Sequence, residues 1–215
     1  SRLLPYSSDS KQIIKGDLCC YAMSTILNKI SNFIYANCFA FFAIVFITFI
    51  NGEAYNLVGN FIWLPLGAVS LCYLLFGFRI VIAVFLAIMF SAHWFHEEPL
   101  FILTKNMVHL VGTLAPLLAI ASMKFFKLSN FFEGGKLVFQ HLLFLVLLTA
   151  LYNTLMKFFV FSYFDNLSIN AVKFIQGYLL GDILGCLAVL FFAVLVVVPG
   201  IRYFAPELVP SDLDN

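Results

Sequence analysis

Charge is what this sequence has least of. Lysine, arginine, aspartate and glutamate together make up 11% of its 215 residues, and the formal net charge is +1. Nucleic-acid binding leaves a basic stripe or patch, and none can be assembled here, so no nucleic-acid partner is expected. Cysteine offers no framework either. Cys19, Cys20, Cys38, Cys72 and Cys186 contain no CxxC or CxxxC spacing, which excludes the usual sequence signals of a zinc site or a disulfide-built fold. GxSxG, HExxH and Walker-type loops are also missing, so an enzyme is not expected. No Pro-rich linker, low-complexity tract or internal repeat divides the chain.

Apolar residues fill the space that charge leaves. The sequence is 63% hydrophobic with 27 phenylalanines, and its mean hydropathy is +1.01. A helix needs roughly 20 mostly apolar residues to cross a hydrocarbon core of about 30 Å. Six stretches meet or approach that requirement: Phe33–Ile50, Phe61–Phe78, Ile80–Phe95, Met107–Phe126, Leu137–Ser162 and Phe174–Val198. The third is short and requires local thinning of the bilayer or continuation into the turn that follows. The expected fold is all-α, a polytopic transmembrane bundle of six helices preceded by an N-terminal interfacial amphipathic helix, with the lipid bilayer as its first partner. The phenylalanines supply lipid-facing bulk and interhelical packing.

Three regions follow from this pattern. Residues 1–29 form a cytoplasmic N-terminal segment. Within it Ile14, Leu18, Tyr21, Ile26 and Leu27 recur at near-helical spacing between Lys11 and Lys29, as in a helix lying on a membrane surface. Residues 30–199 are the transmembrane domain, and 200–215 a short cytoplasmic tail. Arg2, Lys11, Lys15, Lys29, Arg79, Lys124, Lys127, Lys136 and Arg202 fall on one side of the expected spans, against Lys105, Lys157 and Lys173 on the other. The positive-inside rule then puts both termini in the cytoplasm, with the loops at 51–60, 96–106 and 163–173 outside.

Ionisable residues at membrane depth are costly and mark candidate sites. Asp182 is the clearest, in Gly177-Tyr178-Leu179-Leu180-Gly181-Asp182-Ile183-Leu184-Gly185. Gly177, Gly181 and Gly185 recur every four residues and permit close helix contact, with Asp182 at the edge of their stripe. Lys157 lies at similar depth in the fifth span, so the two form either a structural ion pair or part of a ligand- or ion-sensing site. A second group faces outward. His93, His96 and Glu97 stand at i, i+3 and i+4, and His109 follows across a short loop, a spacing able to present metal ligands on one helical face. Third, Trp63-Leu64-Pro65-Leu66-Gly67 predicts a kink in the outer third of the second span, and Pro116 another in the fourth. His141 reads as packing.

The order of these motifs resembles the bacterial membrane-associated sensor (MASE-type) domain family. Its members show a Trp-x-Pro-x-Gly helix, an apolar run ending in Gly-x-Arg, and later a Gly-Asp-x-x-Gly helix that closes near a proline. The counterparts here are Trp63, Pro65 and Gly67, then Gly77 and Arg79, then Gly181, Asp182 and Gly185 before Pro199. The resemblance covers about Phe61 to Pro199. It implies a non-enzymatic sensory module in a bacterial inner membrane, acting through a membrane-protein partner or a larger complex. The family usually has more than six spans and a signalling domain after them. Two other classes fit six spans of this length: a substrate-binding subunit of a vitamin-type transporter, and a structural accessory subunit of a larger membrane complex. The residues name no cofactor and no ligand.

Overall fold

The computed structural model describes residues 9–52, 62–99, 102–128, 139–164 and 170–197, with all their side chains except those of residues 9–27, His96, Phe139, Val194 and Val197. Those residues contain helices and no strand. The helices are α1 (Asp9–Gly52), α2 (Leu64–Phe76), α3 (Val81–His96), α4 (Leu103–Phe125), α5 (Phe139–Phe164) and α6 (Ala171–Phe192). A 3-10 turn, Gly77–Ile80, joins α2 to α3, and α6 runs into a π-helical turn, Ala193–Val197. Residues 53–61 and 165–169, the Gly134-Gly135 pair that reads as a turn signal in the sequence, the basic residues Arg2, Lys136 and Arg202, and the residues from Pro199 onward lie outside the described residues.

Five helical runs are long and apolar enough to cross a membrane: Asn28–Gly52, Leu64–Phe95, Leu103–Phe125, Gln140–Phe164 and Ala171–Phe192. The expected six, with a separate interfacial helix, are therefore reproduced only in part. Residues 11–29 are helical, but they are the opening turns of α1 and not a helix of their own. Between Asp9 and Asn51 there is no proline and only Gly16, so nothing in the sequence stops the helix before Gly52. At a rise of about 1.5 Å per residue, α1 is roughly 66 Å long.

The second run is divided. The Leu64 N–H meets the Asn51 side chain at the end of α1, whereas Phe76 packs on Phe39, three turns earlier in α1. Thus α2 runs antiparallel to α1. Phe90 then packs on Phe41 and Phe95 on Phe49, so α3 runs back alongside α1. The chain reverses at Gly77, whose φ of 69° is open to glycine at little cost. The short member of the pair is α2, with 13 residues, and not the third span as the sequence suggested. Pro65 is the reason. It occupies the first turn of α2, where a missing N–H costs nothing, so it starts the helix and does not kink it. Pro116 is buried inside α4, which continues past it.

Alanines at helical spacing let the helices close on one another. Ala36, Ala40 and Ile44 on α1 meet Tyr73, Val84 and Met123 in one apolar core. A second, smaller core joins Leu66 on α2, Val146 on α5, and Cys186 and Leu190 on α6. Large apolar side chains also cover the outside, including Phe42, Phe46, Ile82, Trp94 and Phe159. An exterior as apolar as the interior is consistent with an integral membrane protein, because lipid gives no reason to turn these groups inward.

Candidate functional site

The start of α2 is pressed into the middle of α6. A Cβ on Gly67 would lie 2.8 Å from the Cα of Cys186 and 2.9 Å from the carbonyl oxygen of Gly185. A Cβ on Gly185 would collide with the carbonyl group of Trp63. Only glycine allows this approach. The first N–H groups of a helix have no partner within it, and inside a membrane no water replaces one. Here the Trp63 N–H donates to the Gly181 carbonyl at 2.9 Å, and the Leu64 N–H donates to Asn51 Oδ1 at 3.1 Å. Pro65 has no hydrogen to satisfy. Both backbone donors ahead of Pro65 thus bond to neighbouring helices.

Asp182 stands beside this contact and is 2% exposed. Its Oδ2 accepts a hydrogen bond from Asn153 Nδ2 at 2.7 Å and a long one from Thr154 Oγ1 at 3.5 Å. The carboxylate can only accept, so the nitrogen of the Asn153 amide must face it. That leaves Asn153 Oδ1 buried and without a partner, and the hydroxyl of Thr149, one turn earlier on α5, is in the same condition. Lys157 is also buried. Its Nζ lies 6.0 Å from the centre of the Trp63 ring and 5.6 Å from that of Tyr178, within range of a cation–π attraction. Lys157 and Asp182 are near enough to interact electrostatically, but they are not in ion-pair contact. The expected alternative of a direct ion pair is therefore replaced by an amide-held carboxylate and an ammonium against two rings.

Seven of the residues singled out in the sequence meet here: Trp63, Pro65, Gly67, Lys157, Gly181, Asp182 and Gly185. Arg79 does not. It is exposed in the turn at the opposite end of α2, about 20 Å away by helix rise. Gly177 is exposed, and a Cβ there would meet nothing within 4 Å, so the glycine stripe is used only from Gly181 onward. Asn51, Thr149, Asn153, Thr154 and Tyr178 complete the junction and were not foreseen. A signal for three of them existed: Thr149, Asn153 and Thr154 share one face of α5 with Lys157, at i, i+4, i+5 and i+8.

The outward-facing group is arranged differently from its sequence pattern. Glu97 ends α3 in a left-handed conformation, φ 53°, with its side chain exposed. The carboxylate that the structure uses is Glu98. Lys105 Nζ donates to its Oε1 at 2.5 Å, and His109 Nε2 lies 3.2 Å from its Oε2. His93 Nδ1 is 3.0 Å from the backbone carbonyl of Glu98, which can only accept, so Nδ1 carries the hydrogen. The His109 imidazole and then the Lys105 ammonium, each close to one oxygen, hold the Glu98 carboxyl down at about 2, against the burial that pushes it up. The His96 side chain lies outside the described ones. Among the described residues no three His, Cys, Asp or Glu side chains gather as metal ligands would. What stands here is an ionic clasp between the α3–α4 loop and the first turns of α4.

Comparison with known protein families, with curated proteins and with solved structures finds no match. The resemblance to membrane-associated sensor domains thus rests on the residues alone, and its first and last motifs are the two that touch through Trp63 and Gly181.

Proposed function

We propose that this chain is a non-enzymatic sensory module of a bacterial inner membrane, crossing it six times with both termini in the cytoplasm and acting through a partner protein. The observation that carries the reading is the contact of the Trp63-x-Pro65-x-Gly67 and Gly181-Asp182-x-x-Gly185 segments around a buried carboxylate. A polar group fixed between three helices couples their positions, so a change at the carboxylate is a change in how α2, α5 and α6 pack.

The reversal at Gly77–Ile80 supports counting Leu64–Phe95 as two crossings, the first of them short. The distribution of lysine and arginine supports the orientation. Support for a partner comes from α1. Its candidate span begins at Asn28, and the residues 9–27 ahead of it continue the same helix for about 28 Å. A rigid extension of a span is a means of passing its displacement beyond the bilayer.

Two measurements test the reading. Cysteine labelling should find the loops at 51–60, 96–106 and 163–173 outside, and access from outside to residue 215 would overturn the orientation. Isolation of the native complex should recover a signalling protein. An ATPase module in its place would favour the vitamin-type transporter subunit, which the same buried polar junction would suit, and recovery of the chain alone would remove the partner.

A further inference from the structure

The junction of α2, α5 and α6 contains two opposite charges that do not meet. Asp182 is held by Asn153 and Thr154, while Lys157 lies against Trp63 and Tyr178. Opposite charges attract strongly in a low-dielectric interior, and lysine has a flexible four-carbon arm with which to close a gap. That Lys157 rests elsewhere leaves its donors available. Beside the carboxylate, Asn153 Oδ1 is a buried acceptor without a donor, and one turn earlier on α5 the Thr149 hydroxyl is buried without a partner, each on a residue of zero exposure. Buried polar atoms without partners are rare in folded chains, and each calls for an explanation, a bound molecule being one.

We propose that this junction binds a small zwitterion of the α-amino-acid type. Its carboxylate meets the Lys157 ammonium, and its own ammonium is shared between Asp182 and the free Asn153 oxygen. The proposal rests on reading the junction as the sensory site, and it names the class of ligand sensed.

Charge balance selects this class. With Asp182 and Lys157 both ionised the site is neutral overall. A bound cation would leave one uncompensated positive charge at membrane depth and a bound anion one negative charge, and each is costly there. A zwitterion leaves the balance unchanged while giving each protein charge a direct partner. Donor count agrees beside Asp182, because an ammonium brings hydrogens both to the carboxylate and to the unpartnered Asn153 oxygen. Size is limited as well. The contact of Gly67 with Gly185 and Cys186 closes the α2–α6 side to any added atom, so the molecule is compact, and Tyr178 at the partly exposed edge marks its way in.

The purified chain in lipid nanodiscs should show saturable binding of radiolabelled glycine, alanine or serine, with a matching rise in Tm. Acetate and methylamine, which carry one end each, should bind at least about tenfold more weakly, because each forfeits a charge-assisted contact. Asp182→Asn and Lys157→Gln should each abolish binding. The paired variant D182N/K157Q removes both charges together, so it should keep the wild-type circular dichroism spectrum and still fail to bind. Absence of saturable binding by all three amino acids would overturn the proposal and leave the junction to water. So would equal binding of acetate, methylamine or sodium ion. Copurification of a partner is read separately. Binding without a partner supports the site and removes the sensory reading, whereas a partner without binding removes the site and leaves that reading in place.

Discussion

Asn153 and Asp182, 29 positions apart in the chain, are joined by a 2.7 Å hydrogen bond in the interior of the bundle. Asn153 orients the carboxylate, and the remaining contact, from Thr154, is long at 3.5 Å. The two bonds therefore contribute unequally to holding α5 against α6.

Asn153→Leu should accordingly destabilise the chain by about 2–3 kcal/mol, since it strands a buried charged group. Thr154→Val, which removes only the long contact, should cost less than about 1 kcal/mol. Reversible unfolding in mixed detergent micelles would measure both. Equal costs would show that Asn153 is not the principal support of Asp182.

The closeness of α2 and α6 gives a steric contrast along one glycine stripe. Gly185→Ala should cost about 1–3 kcal/mol, because its methyl meets backbone and not a flexible side chain. Gly177→Ala, with open space around it, should be neutral or slightly stabilising through helix propensity. Thermal unfolding of the two variants side by side provides the check.

Asn51 ties the end of α1 to the start of α2 by accepting the Leu64 N–H. Asn51→Ala leaves that donor without a partner and should cost about 1–2 kcal/mol. Hydrogen exchange at the Leu64 amide should quicken in the variant, whereas exchange in α4 should not change.

Glu98 provides a pH test with a definite sign. Its carboxyl falls from an ordinary 4.5 to about 2 in the folded chain. A depressed carboxyl stabilises the fold above its unfolded value, and that contribution disappears as pH falls through the folded one. Wild-type Tm should therefore drop relative to Glu98→Gln between about pH 4.5 and pH 2. At neutral pH Glu98→Gln should cost about 1–2 kcal/mol, whereas Glu97→Gln, at an exposed position, should cost almost nothing. A parallel pH response in wild type and Glu98→Gln would count against the clasp.

Much of the architecture was written locally. Long apolar runs, Gly52 at the end of α1 and the glycine at 77 specify helices and a reversal whatever surrounds them, because helix formation and positive φ depend on neighbours in sequence. The importance of Asp182 was legible for the same reason: a carboxylate in an apolar run must find compensation wherever the helix goes. Even locally, Pro65 was ambiguous, since a proline inside an apolar stretch either kinks a helix or begins one, and the choice depended on neighbours able to satisfy the N–H groups of Trp63 and Leu64. Which residues would meet was decided only by the packed bundle. The left-handed turn at Glu97 ends α3, so a one-residue difference at the start of the following loop decides between the exposed Glu97 and the clasped Glu98. Within a helix each step turns the side chain by about 100°, and that rotation, with the depth at which α5 and α6 pack, gave Asp182 to Asn153 and turned Lys157 toward Trp63 and Tyr178. Sequence stated that a charge would be buried; only tertiary packing, which sets rotation and depth together, chose its partners.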